Sequence, residues 1–114
     1  MKKFAVIGYP LTHSLSPQIH NFAFQKLEID AIYKKIEISP ETFKKEILDL
    51  KKSDVDGLNV TIPHKLNIMS FLDEIDPDAR IIGAVNTVVR KGNQWIGYNT
   101  DVSGFLSPLQ RYKN

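Results

Sequence analysis

Cysteine is absent from the 114 residues, which excludes disulfides, thiolate metal sites and thiol nucleophiles together. Clustered glycines are absent as well. The six glycines stand at positions 8, 57, 83, 92, 97 and 104, whereas a dinucleotide fold needs them closely spaced after its first strand, so that pyrophosphate can approach bare backbone at a helix N-terminus. No Gly-Lys-Ser or Gly-Lys-Thr occurs, which removes a Walker-type phosphate loop. No apolar run approaches the roughly 18 to 20 residues that span a bilayer, and Met1-Lys2-Lys3 leads straight into a short strand-like run rather than a signal peptide. The charge is nearly balanced, 15 Lys and Arg against 13 Asp and Glu, too little excess for the basic face of a nucleic-acid binder. The expectation is a cytosolic (cytoplasmic) protein with no membrane or nucleic-acid partner. Any nicotinamide chemistry must borrow a partner domain.

What is present fits one ordinary folded domain: 42% apolar and 25% charged residues in a chain long enough for a single core. The run Phe4-Ala5-Val6-Ile7-Gly8 reads as a buried strand. Ser16-Pro17 reads as an N-cap with proline at the first helical position, and Ile19, Phe22, Ala23 and Leu27 follow at helical spacing. A second strand over 31–36, a helix opened by Ser39-Pro40-Glu41 carrying Phe43, Ile47 and Leu50 on one face, and a third strand over 57–60 come next. Strand and helix in alternation imply parallel crossovers of right hand. Short helices from Pro63 to Phe71 and from Pro77 to Gly83 are expected, then a hairpin over 84–98 turning at Gly92-Asn93, and a last helix capped by Asp101. The fold class predicted is α/β: a three-layer domain with a mixed, mostly parallel sheet flanked by helices on both faces.

Four polar segments fall where strands end, the place at which open α/β sheets bind ligands. They are Ser14-Leu15-Ser16-Pro17; Asn59-Val60-Thr61-Ile62-Pro63-His64-Lys65; Gly83-Ala84-Val85-Asn86-Thr87; and the segment 97–105 containing Asp101. Singly, each has an ordinary explanation: a helix cap, a surface lysine, a turn asparagine, a second helix cap. Together they offer what a polyhydroxylated carboxylic acid needs. Two hydroxyls at a helix N-terminus seat a carboxylate, amide and hydroxyl groups meet its alcohols, and a lysine beside an aspartate can exchange a proton with a hydroxyl undergoing oxidation. His13, His20 and His64 have no metal-ligand spacing, so no metal site is expected.

In this order and spacing the four segments resemble the substrate-binding N-terminal domain of shikimate dehydrogenases. The family's Ser-x-Ser-Pro falls on Ser14, Ser16 and Pro17, its Asn-Val-Thr-x-Pro-x-Lys on 59–65, its Gly-Ala-Val-Asn-Thr on 83–87 and its Asn-Thr-Asp-x-x-Gly-Phe on 99–105. The resemblance implies that Ser14 and Ser16 bind the shikimate carboxylate and that Thr61, Asn86 and Asp101 contact the ring and its hydroxyls. It makes Lys65 the general acid/base, Asp101 its orienting partner, and Asn59 a residue on the cofactor side of the cleft. It implies oxidation of shikimate to 3-dehydroshikimate, reversibly, in aromatic amino-acid (chorismate) biosynthesis, with hydride passing to NADP. That cofactor belongs to a second, dinucleotide-binding domain absent from this sequence. Residues 1–105 are thus expected to form the substrate domain and 106–114 the start of the connecting helix. The chain alone is expected to be inactive, to hold no cofactor tightly, and to be prone to homodimerise through strand edges and the face the missing domain leaves. A stand-alone shikimate- or quinate-binding module, or part of a quinate/shikimate dehydrogenase, are the competing readings.

Overall fold

The apolar run 4–8 lies within strand β1 (Lys2–Gly8), an inner strand of a six-stranded sheet in the computed structural model, which describes residues 1–12 and 14–100. Helix α1 (Ser16–Lys26) leads to strand β2 (Ala31–Glu37), and helix α2 (Phe43–Lys52), entered through a 3₁₀ turn at Pro40–Thr42, leads to strand β3 (Gly57–Val60). Both β2 and β3 run parallel to β1, one on each side. Two crossovers of the same hand that step in opposite directions must leave their helices on opposite faces. That is the arrangement found. Ala5 and Ile7 pack with Phe43 and Ile47 of α2, whereas Val6 and Tyr33 pack with Phe24 of α1.

A 3₁₀ helix (Asn67–Phe71), strand β4 (Glu74–Ile75), helix α3 (Pro77–Ile82) and strands β5 (Thr87–Lys91) and β6 (Gln94–Tyr98) complete the described chain. The sheet order is β2-β1-β3-β5-β6-β4, with β5 antiparallel to both neighbours and β4 parallel to β6. The sheet is therefore mixed and mostly parallel, as expected. Gly83 (φ 78) closes α3 and Gly92 (φ 63) opens the hairpin turn, both in the left-handed region glycine enters without penalty. Strand β4 was not expected, because two residues are too few to show any alternation.

Three local expectations change. Ser16 is the first residue of α1, and Leu15 occupies the N-cap. The stripe containing Ile19 and Phe22 faces outward, each residue more than half exposed; α1 docks instead through Asn21, whose Nδ2 donates to the Tyr33 carbonyl and whose Oδ1 accepts from the Tyr33 N–H, both at 2.9 Å. No helix starts at Pro63, because the Lys65 carbonyl that its first turns would use accepts from the Val85 N–H at 3.0 Å. The helix expected after Asp101 lies outside the described residues.

One side chain joins the two halves of the sheet to α2. Arg90 of β5 lies over the Trp95 ring, its carbon 5.7 Å from the centroid, and donates to the carbonyls of Val55, Leu50 and Lys51 at 2.7, 3.3 and 3.0 Å. Two of these carbonyls lie in the last turn of α2, where the regular helical donors run out; that of Leu50 also accepts from the Ser53 N–H at 3.0 Å and the Ser53 hydroxyl at 2.6 Å. Replacing Arg90→Met, which keeps the stem but removes the donors, is expected to cost about 2 kcal/mol of unfolding free energy by urea denaturation. Arg90→Lys should recover little of it, since one ammonium cannot reach three carbonyls in that fork geometry.

Candidate functional site

Strands β1 and β3 leave the sheet side by side, and the ladder between them continues past their last residues. The Thr61 N–H donates to the Ile7 carbonyl and the Tyr9 N–H to the Ile62 carbonyl, each at 3.0 Å. The loops 9–15 and 61–65 are thereby held against one another. A Cβ on Gly8 would collide with the Thr61 methyl and sit 3.1 Å from the Ile62 carbonyl oxygen, so glycine is what lets the two backbones approach. Ser14, Ser16 and Thr61 then share the wall of one cavity of about 250 Å³, with Val6 and Leu11 beneath them. Of the residues singled out from the sequence, these three are brought together most directly.

His64 fixes the second loop. It is fully buried, stacked on Phe43 with centroids 4.4 Å apart, and its Nε2 donates to the Ile38 carbonyl. A carbonyl can only accept, so Nε2 carries the hydrogen; Nδ1 is buried with no hydrogen-bond partner. The anchor leaves Lys65 half-buried at the turn, its carbonyl tied to Val85. Among the described residues the Lys65 ammonium has no ion-pair partner. Asp101, expected beside it, lies outside the described residues, as does His13.

Asn86 stands across from this loop, its carbonyl accepting from the Val60 N–H at 2.8 Å. Its Oδ1 accepts from the Thr87 hydroxyl at 2.9 Å and from the Thr100 N–H and hydroxyl at 3.0 and 3.2 Å. The backbone N–H can only donate, which settles which end of the amide is oxygen. Among the described residues no acceptor takes the Nδ2 hydrogens of Asn86. Asn59 differs: its Oδ1 accepts from the Tyr33 hydroxyl at 2.6 Å and its Nδ2 donates to Thr87 Oγ1 at 3.5 Å, so both ends of its amide are already engaged.

Sequence reasoning missed Tyr33, Thr87 and Thr100. Thr87 and Thr100 lay inside recognised motifs without a role, and Tyr33 looked like any aromatic residue of a strand. Tyr33 is 4% exposed. Burial pushes its phenol up to about 12, against a smaller lowering by the nearby Ser16 hydroxyl. Its ring is stacked on His20, centroids 4.2 Å apart, and the His20 Nδ1 donates to the Ser16 carbonyl at 2.8 Å. Tyr33, His20 and Asn59 also border a second, largely apolar cavity of about 260 Å³ between α1 and the β3–β5 part of the sheet.

Among the described residues no group of three or more His, Cys, Asp or Glu is placed to hold a metal ion. Nor does the chain after β1 fit a pyrophosphate. The loop 9–15 has no glycine and no Lys or Arg, and its side-chain donors are the hydroxyls of Tyr9, Thr12 and Ser14 and the imidazole of His13. The donor set of hydroxyls, an amide nitrogen and an ammonium suits a small polyhydroxy acid.

Two outcomes follow from this geometry. Gly8→Ala should lower stability by about 1–3 kcal/mol through overpacking and displace the Thr61 amide resonance, read by urea denaturation and heteronuclear NMR. For Tyr33, the folded state keeps a phenolic proton that the unfolded state releases at pH 10, so stability is fully present below pH 10 and is lost as pH rises to about 12. Urea midpoints across that window should fall less steeply in Tyr33→Phe than in the parent; parallel slopes would refute the assignment.

A family model for the shikimate dehydrogenase substrate binding domain matches residues 6–88. Shikimate dehydrogenase (NADP(+)) of Dictyoglomus thermophilum is 54% identical over 112 residues, covering 98% of this chain and 41% of that protein. Among solved structures, shikimate dehydrogenase 1 from Peptoclostridium difficile matches with a TM-score of 0.87 at 46% identity, over 94% of this chain and 40% of its own. Shikimate 5-dehydrogenase from Listeria monocytogenes, in complex with shikimate and NAD, matches with a TM-score of 0.88 at 35% identity, over 100% of this chain and 39% of its own. The chain thus spans about two-fifths of the length of these relatives. With its sheet order, its strand-end loops and a family match running from β1 into β5, the chain belongs to the shikimate dehydrogenase substrate-binding domain family.

Proposed function

We propose that this chain is the substrate-binding and proton-transfer part of an NADP-dependent shikimate dehydrogenase, with residues 1–105 as the substrate domain and 106–114 beginning the connection to a dinucleotide-binding domain. The observation that carries the reading is the convergence of Ser14, Ser16 and Thr61 on one cavity at the ends of two parallel strands. The first backbone N–H groups of α1 lie at the same place, where the helix end favours an anion. A carboxylate seated there directs the ring toward Asn86, whose Nδ2 donates to a ring hydroxyl.

Lys65 accepts the proton of the hydroxyl being oxidised, and Asp101 orients the ammonium and offsets its charge. As the O–H bond breaks, the C–O bond becomes a carbonyl and the carbon loses hydride; in the reverse direction Lys65 returns the proton. NADP, held by the other domain, supplies the acceptor for that hydride. Asn59 stands on the side from which the acceptor approaches. Shikimate and 3-dehydroshikimate are the two ligands of the site, and the reaction places the protein in aromatic amino-acid biosynthesis.

Titration of the 114-residue chain with shikimate, followed by NMR, is expected to move the amides of Ser14, Ser16, Thr61, Lys65 and Asn86 on a single binding curve. Quinate run alongside separates the two substrate preferences. Silence at those positions, or shifts elsewhere, would sink the reading. In a version carrying the dinucleotide-binding domain, Lys65→Ala should lower kcat by roughly 10²–10⁴-fold while leaving shikimate affinity nearly unchanged.

A further inference from the structure

A run of hydrogen bonds crosses the site from one end to the other, and its direction is fixed. The Thr100 N–H can only donate, so Asn86 Oδ1 is the acceptor at that end. The Thr87 hydroxyl has one proton and spends it on Asn86, so its oxygen must accept from Asn59. Asn59 therefore turns its nitrogen to Thr87 and its oxygen to Tyr33, and Tyr33 must donate. The Tyr33 oxygen is left as an acceptor. Tyr33 itself is immobilised: Asn21 holds its backbone at two points and His20 covers its ring.

We infer that Tyr33 is a positioning residue of the site, whose hydroxyl orients the Asn59 amide and, through Thr87, supports the Asn86 amide that faces the substrate ring. The inference rests on the reading above that Ser14, Ser16 and Asn86 hold a polyhydroxy carboxylate. The Asn86 N–H groups presented to the ring are thus backed by a chain of bonds that runs from Thr87 through Asn59 to Tyr33. Without the phenol oxygen Asn59 loses the one bond its Oδ1 accepts among the described residues, and its amide is free to turn. Thr87 then loses the donor on its oxygen, while its own proton stays on Asn86 Oδ1.

The test uses the 114-residue chain, its Tyr33→Phe variant and its Thr87→Val variant, with two readouts. In the side-chain amide spectrum, Tyr33→Phe is expected to shift the NH₂ pairs of both Asn59 and Asn86 while leaving the backbone amides of α2 and β4 in place. A change confined to Asn59, or none, overturns the linkage, and this result does not depend on any ligand. Thr87→Val should move the Asn86 pair and leave the Tyr33 hydroxyl on Asn59. For binding, Tyr33→Phe is expected to weaken shikimate by about fivefold and to leave cyclohexene-1-carboxylate, which has the carboxylate and no hydroxyls, unweakened. Equal loss for both ligands would mark a general structural role and overturn the proposal. Should the parent chain bind neither ligand, the proposed function fails while the amide spectrum still decides the role of Tyr33.

Discussion

The register between β1 and β3 is the constraint on which the rest of the site depends. Ile7 pairs with Val60, so the two strands end level, and two further backbone hydrogen bonds carry the pairing into the loops beyond. Parallel strands cannot be joined by a tight turn, and each must run off the sheet into a connection of its own. Two connections leaving at the same height form a crevice as a matter of geometry. Here they bring hydroxyls from 14 and 16 against a hydroxyl from 61 without any long-range charge pairing. Arg90 secures the same sheet from the other end, by satisfying α2 carbonyls that face away from the crevice.

Those parts of the fold that rest on local chemistry were legible in the sequence. The apolar runs of β1 and β3, the Phe43 and Ile47 face of α2, and the glycines that close α3 and turn the hairpin all act over a few residues. What was illegible depends on partners far along the chain. The inward face of α1 is chosen by Asn21 gripping the β2 backbone, a polar contact that no apolar periodicity reports. The turn at 61–65 departs from a helix because Val85 claims the Lys65 carbonyl, twenty residues away in sequence.

The candidate site divides in the same way. Polar residues at strand ends stand out because the strand around them is apolar, and Ser14, Ser16 and Thr61 were found on that contrast. Tyr33 was not, since it lies within β2 and only its hydroxyl, reaching past β1 to Asn59, belongs to the site. His64, next to Lys65 in the motif, works as a core residue, its ring packed on Phe43 and one nitrogen spent on a backbone carbonyl. The motif around it therefore mixes two kinds of residue: those that face a ligand, and those that keep the loop still while they do so.

Strand β2 forms one edge of the sheet and carries Lys34 and Lys35, both exposed. An edge strand presents unpaired backbone groups to any second chain. If two copies met there in antiparallel fashion, the lysine pairs would be brought into one short stretch and like charges would face one another. A pairing in that register would carry the cost of this repulsion on the two exposed lysines.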